Sequence, residues 1–151
     1  MESRIQNDKK QLFDPIRKKW VAFTPEEHVR QAVLAFLTSE LLVPPLLIGV
    51  EFSLSHIEPG NRRQVDILAW KPGKPADKEP IIPWLLVECK APSVKITKTI
   101  TYQVTRYLAV TPCEYLMLTN GKQTLYFKLV NGKYEGVNTL PYYRTPSQGM
   151  G

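Results

Sequence analysis

Between residues 24 and 41, apolar side chains recur at Val29, Val33, Phe36, Leu37 and Leu41, near the 3.6-residue period of a helix that buries one stripe. The segment opens with Thr24-Pro25-Glu26-Glu27: a hydroxyl at the N-cap, proline at the first helical position and glutamate at the third. Pro44-Pro45 ends it. From Leu46 the period becomes two. Val50, Phe52 and Leu54 alternate with polar or small partners, which predicts a strand ending before Pro59-Gly60. Residues 62–70 predict a second strand, residues 71–80 a proline-rich loop, and residues 81–90 a third strand. The third is almost continuously apolar, as expected of a central strand covered on both faces. Ala91-Pro92-Ser93 is read as the opening of a second helix whose buried stripe is Ile96, Ile100, Val104 and Leu108. Residues 114–119 and 123–129 form a hairpin around Asn120-Gly121, and Asn131-Gly132 turns the chain into a short edge strand.

Residues 1–23 are polar and basic and read as an arm packed through Leu12, Phe13, Ile16 and Trp20; residues 145–151 read as a flexible tail. The remaining 24–144 form one domain, an α/β fold with a mixed central sheet flanked by helices. A chain of 151 residues, 43% hydrophobic, suits a single core. No apolar run approaches the roughly 18 residues of a membrane span, and no hydrophobic segment follows the N-terminus, so neither membrane nor secretion is expected. Cys89 and Cys113 are too few for a disulfide framework and read as reduced thiols in a cytoplasmic protein. No phosphate loop of the G-x-x-x-x-G-K-[ST] type occurs, so no motor ATPase is expected within the sequence. Twenty Lys and Arg against fourteen Asp and Glu leave a net charge of +6. That excess suits an ordinary soluble surface or attraction to a polyanion such as nucleic acid.

Three charges sit where charge is expensive. Asp66 interrupts Val65-Asp66-Ile67-Leu68-Ala69-Trp70, and Glu88 and Lys90 end the run from Trp84. Strand alternation puts Glu88 and Lys90 on one face. If the second and third strands are neighbours, Asp66 stands beside Glu88 with Cβ atoms roughly 4.5–5.5 Å apart. Two such carboxylates repel unless a hard cation lies between them, and Mg²⁺, with Mn²⁺ as substitute, suits an all-oxygen site. Lys90 could then hold a nucleophilic water and offset charge on a phosphoryl transition state. The alternative is a plain Glu88–Lys90 ion pair. Thirteen residues beyond Lys90, Gln103 and Tyr107 fall four apart, hence on one helical face.

These residues resemble the PD-(D/E)XK nuclease superfamily. Its restriction-endonuclease-like core is a helix, three antiparallel strands, a helix and a further strand, with a carboxylate on the second strand and (D/E)-x-K on the third. Asp66 and Glu88-Cys89-Lys90 occupy those positions, although Val65 stands where proline is usual. Gln103-Val104-Thr105-Arg106-Tyr107 is similar to the Q-x-x-x-Y motif of RecB-like nucleases. Together with residues 14–20, 24–31 and 115–127, they make residues 12 to about 140 resemble the N-terminal nuclease domain of the type I restriction enzyme restriction subunit.

The resemblance implies a Mg²⁺-dependent deoxyribonuclease without the helicase motor into which those subunits continue. Asp66 and Glu88 would bind metal, joined by the Cys89 carbonyl. Lys90 would position water, and Gln103 and Tyr107 would orient the site or the DNA. The family often adds a helix glutamate, for which Glu27 is the candidate; a capping-box role fits Glu27 equally well. His28 and His56 are expected to be ordinary surface or core histidines, since oxygen ligands suit the site. Arg62, Arg63, Lys71 and Lys74 are candidate phosphate contacts, though solvated loop charges look the same in sequence. DNA is the expected partner, with a homodimer needed for double-strand cleavage and restriction-modification subunits as further partners. RNA as substrate, or a non-catalytic DNA-binding or partner-docking module on the same fold, remain the alternatives.

Overall fold

The computed structural model describes residues 1–143, of Asp77 only the backbone; the expected tail at 145–151 lies outside the described residues. The chain order is β1 (Ser3–Gln6), β2 (Lys9–Asp14), β3 (Lys19–Ala22), α1 (Pro25–Ala35), β4 (Ile48–Ser53), β5 (Gln64–Pro72), β6 (Ile81–Cys89), α2 (Lys98–Val110), β7 (Tyr115–Thr119), β8 (Thr124–Val130) and β9 (Lys133–Val137). Strands β4 to β9 form one six-stranded sheet in sequential order. Every pairing is antiparallel except β6–β7, which is parallel and is bridged by the α2 crossover. The mixed sheet between helices is the architecture expected from the residue pattern.

Helix α1 starts where the sequence signals it. Thr24 accepts the Glu27 amide at 2.9 Å and Pro25 takes the first helical position. A wider helical turn over Phe36–Glu40 extends α1 until Leu42, at φ 64°, reverses the chain before the prolines. Val29, Val33, Leu34 and Leu37 pack with Ile67, Ala69, Leu85, Val87 and Met117 on one side of the sheet. On the other side Val104, Tyr107 and Leu108 of α2 pack with Leu68, Leu86, Leu116 and Leu118. Strand β6 contributes to both layers, which is why its sequence lacks alternation.

Two expectations need correction. Residues 1–23 are not an arm but a three-stranded antiparallel meander, β1–β2–β3. Its first turn runs through Asn7 and Asp8, both at positive φ, and Arg4 stacks on Trp20 at 4.2 Å. The second helix begins at Lys98, not at Ala91. Pro92 and the Val94 amide bonded to the Ala91 carbonyl make residues 91–94 a turn, and the β-branched Val94, Ile96 and Thr97 favour extended backbone. Ile96 therefore packs on the core from outside the helix. Among the described residues no helix is long and apolar enough to cross a membrane.

Candidate functional site

The β5–β6 register pairs Ile67 with Val87, so Asp66 falls opposite Glu88 one step further on. The β4–β5 register pairs Val50 with Ile67 and Phe52 with Val65, which puts Glu51 opposite Asp66 from the other side. Three carboxylate-bearing positions thus line up across three strands.

Glu88 is 5% exposed. Its Oε1 lies 3.4 Å from Lys90 Nζ, while its Oε2 is buried without a hydrogen-bond partner. Burial pushes its carboxyl up to about 8, the Asp66 charge adds to that rise, and Lys90 opposes it. Asp66 is held at both oxygens: Oδ2 accepts the Cys89 amide at 2.7 Å and Oδ1 accepts Arg30 Nη2 at 3.1 Å. The Lys90 ammonium loses some hydration by burial, but Glu88, Glu26 and Asp66 together raise its pKa above the ordinary lysine value. On α2, Gln103 Nε2 donates to Tyr107 Oη at 2.8 Å. Burial raises the Tyr107 phenol, and the negative charges of Glu88 and Asp66 add to it. Gln103 and Tyr107 are thus one hydrogen-bonded unit within the field of the carboxylates.

Of the other candidates, the Cys89 side chain is fully buried in the α1-side core, and burial holds its thiol well above the ordinary range. Glu27 is divided between its two sequence roles. Its amide completes the N-cap, but its carboxylate accepts Arg17 and Arg30 at 2.9 Å each and Gln31 at 3.3 Å. It thus reaches Asp66 through Arg30. His28 and His56 are exposed, with rings against Phe23 and Phe52. Arg62 and Arg63 precede β5 at the end that carries Asp66. Lys71 lies five residues along the same strand, roughly 16 Å from it, and is ion-paired to Glu114. Lys74 follows β5 at that far end. The four basic candidates therefore do not form one surface.

The sequence pattern missed an ionic network that supports the site. Arg17 pairs with Asp14 at 2.6 Å, Glu27 at 2.9 Å and Glu51 at 3.1 Å; Arg30 pairs with Glu27, with Glu51 at 3.3 Å and with Asp66. The one available signal was the spacing of Glu26 and Glu27 before Arg30, which puts acid and base on one helical face. Glu26 itself is half-buried and its charge is felt at Glu88 and Lys90.

A buried carboxylate oxygen without a partner, beside a second carboxylate, suits a cation better than it suits an isolated protein. The oxygen-only donors are those of a hard divalent ion. Among the described residues no three His, Cys, Asp or Glu side chains gather to hold a metal by themselves. Mg²⁺ keeps several waters and commonly takes one or two carboxylates plus substrate oxygens, so the pair Asp66 and Glu88 fits it.

No curated protein and no solved structure matches the chain. A family match does exist: residues 25–141 fit the type I restriction enzyme R protein N terminus. That span takes in α1, the six-stranded sheet and α2 with every candidate above, and leaves out residues 1–24, which hold the β1–β3 meander, and 142–151. The chain belongs to the family of type I restriction enzyme R protein N-terminal domains.

Proposed function

We propose that the protein is a Mg²⁺-dependent deoxyribonuclease hydrolysing phosphodiester bonds, with Asp66 and Glu88 as metal ligands. The reading rests on one observation above the rest: Glu88 Oε2 is buried without a partner while the Asp66 carboxylate and the Lys90 ammonium stand beside it. A bound hard cation would supply Lewis-acid polarisation of a phosphoryl oxygen and a more acidic water. The protein's own groups do the rest. Asp66, fixed by the Cys89 amide and Arg30, and Glu88, fixed by Lys90, present oxygens from adjacent strands. Lys90 keeps its proton and can hold an attacking water at Nζ while offsetting charge on the phosphoryl oxygens. Gln103 and Tyr107 orient the backbone of the strand to be cut, and Arg62 and Arg63 flank the same end of the sheet. One such centre cuts one strand, so double-strand cleavage calls for two copies acting together, and DNA and restriction-modification subunits are the partners expected of a restriction-system domain.

The test is incubation with supercoiled, linear and single-stranded DNA, with and without Mg²⁺ or Mn²⁺, beside thermal unfolding. Divalent metal should raise the melting temperature of the parent protein by binding the native state alone. Asp66→Ala should abolish that rise. Lys90→Ala should keep or strengthen metal binding while cleavage falls by orders of magnitude. A parent whose melting temperature ignores millimolar metal, and which cuts nothing, rules the nuclease out and leaves a DNA-binding module on the same fold.

A further inference from the structure

The Arg30 guanidinium is surrounded by acids drawn from three elements. Nη1 lies 2.9 Å from Glu27 Oε1 on α1 and 3.3 Å from Glu51 Oε1 on β4, and Nη2 lies 3.1 Å from Asp66 Oδ1 on β5. The residue is 7% exposed, and its Nε is buried with no acceptor. A buried guanidinium with an unused donor is costly, and the three surrounding charges offset that cost. The charge of an arginine is also permanent under any ordinary condition.

Two-metal phosphodiester centres hold their ions about 3.5–4 Å apart. A carboxylate between two such ions can serve both, and here Asp66 is the group between Glu51 and Glu88 in the cross-strand register. Its Oδ1 is already bound to Arg30, whose other nitrogen binds Glu27 and Glu51. We infer that Arg30 is a protein-borne second cation: it fills the place between Glu27, Glu51 and Asp66 that a second divalent ion would need, and so limits the centre to one metal ion on the Glu88 side. Arg30 cannot readily swing away, because Arg17 braces Glu27 and Glu51, its other two partners. Removing the guanidinium leaves Glu27 and Glu51 with Arg17 alone and Asp66 Oδ1 without a cation, an arrangement that invites a metal ion in its place.

The inference rests on the metal reading of Asp66 and Glu88, and counting bound ions separates the two. Mn²⁺ titrated into the parent, Arg30→Gln and Arg30→Lys proteins, with free ion followed by electron paramagnetic resonance, gives the number bound per chain. One ion on the parent and on Arg30→Lys, and two on Arg30→Gln, is the expected result. Two ions on the parent, or a single site of unchanged affinity on a folded Arg30→Gln protein, overturns the inference while leaving the metal reading intact. No ion on the parent overturns both. If Arg30→Gln fails to fold, the parent count up to 10-fold excess Mn²⁺ still decides, because a second ion there contradicts an occupied position.

Discussion

Asp14 has no exposed surface, and its carboxylate accepts the amides of Ile16 and Arg17, the Arg17 guanidinium and the Gln31 amide. Burial by itself would push its pKa up, but these bonds outweigh burial and hold the carboxyl below its ordinary value. A folded pKa below the unfolded 3.8 means that the group stabilises the fold above about pH 4 and loses that contribution as pH falls through the folded value. Asp14→Asn should therefore cost about 3 kcal/mol at pH 7, the scale of breaking a buried pair from one side. The gap between the two proteins should narrow at pH 3, read from denaturant unfolding at both pH values. Tyr107→Phe probes a different kind of contact. Its Oη accepts from a half-buried Gln103 that can turn to water instead, so stability should change by less than about 1 kcal/mol. Cleavage should nevertheless fall by about tenfold, equivalent to about 1.4 kcal/mol of barrier, if the pair orients the substrate. Equal losses in folding and cleavage would make Tyr107 a packing residue only.

The turn between β7 and β8 rests on α1. A Cβ added at Gly121 would sit 3.2 Å from Val29 Cγ2, and its φ of 85° already disfavours any side chain. Gly132, between β8 and β9, has φ 80° but open space around its Cα. Gly132→Ala should cost about 1 kcal/mol from backbone strain alone, and Gly121→Ala should cost more because α1 must also give way. Matched thermal melts of the two variants measure the difference. Elements with strong local signals were readable from the sequence: the Thr24-Pro25 start of α1, the unbroken apolar run of β6, the Asn131-Gly132 turn. The β1–β3 meander was not, because β1 and β3 are four residues long and the first turn is Asn7-Asp8, without the glycine that marks most tight hairpins. The start of α2 was misplaced because Ile96 keeps the helical spacing while Pro92 sits in a turn and the β-branched residues after it favour extended backbone. Asp66, Glu88 and Lys90 stood out as charges within apolar strands. Arg17, Arg30 and Glu51 did not, since their meaning lies in contacts between segments up to 36 residues apart.

At the scale of the whole molecule, a net charge of +6 favours a polyanion, and its arrangement decides where one would lie. Arg62 and Arg63 share the carboxylate end of β5, whereas Lys71 is committed to Glu114 at the other end. Duplexes of unrelated sequence should bind with similar affinity that falls as salt rises. Arg62→Ala and Arg63→Ala should each lower the slope of log affinity against log salt by about 1, the amount expected for one lost phosphate contact. Lys71→Ala should leave the slope unchanged. Fluorescence anisotropy across a salt series measures all three; affinity indifferent to salt would remove the electrostatic account.

The ladder between β5 and β6 ends at Ile67–Val87, and the next free amide of β6, that of Cys89, goes to the Asp66 side chain. A backbone N–H thereby becomes a fixed listener on the Asp66 carboxylate. In an amide NMR spectrum the Cys89 resonance should lie downfield, as a charge-assisted 2.7 Å bond requires. It should shift again whenever the electron density on Asp66 is drawn elsewhere. In isotope-enriched protein the Cys89 amide thus reports the state of the Asp66 carboxylate from the main chain, with no dye, no mutation and no substrate.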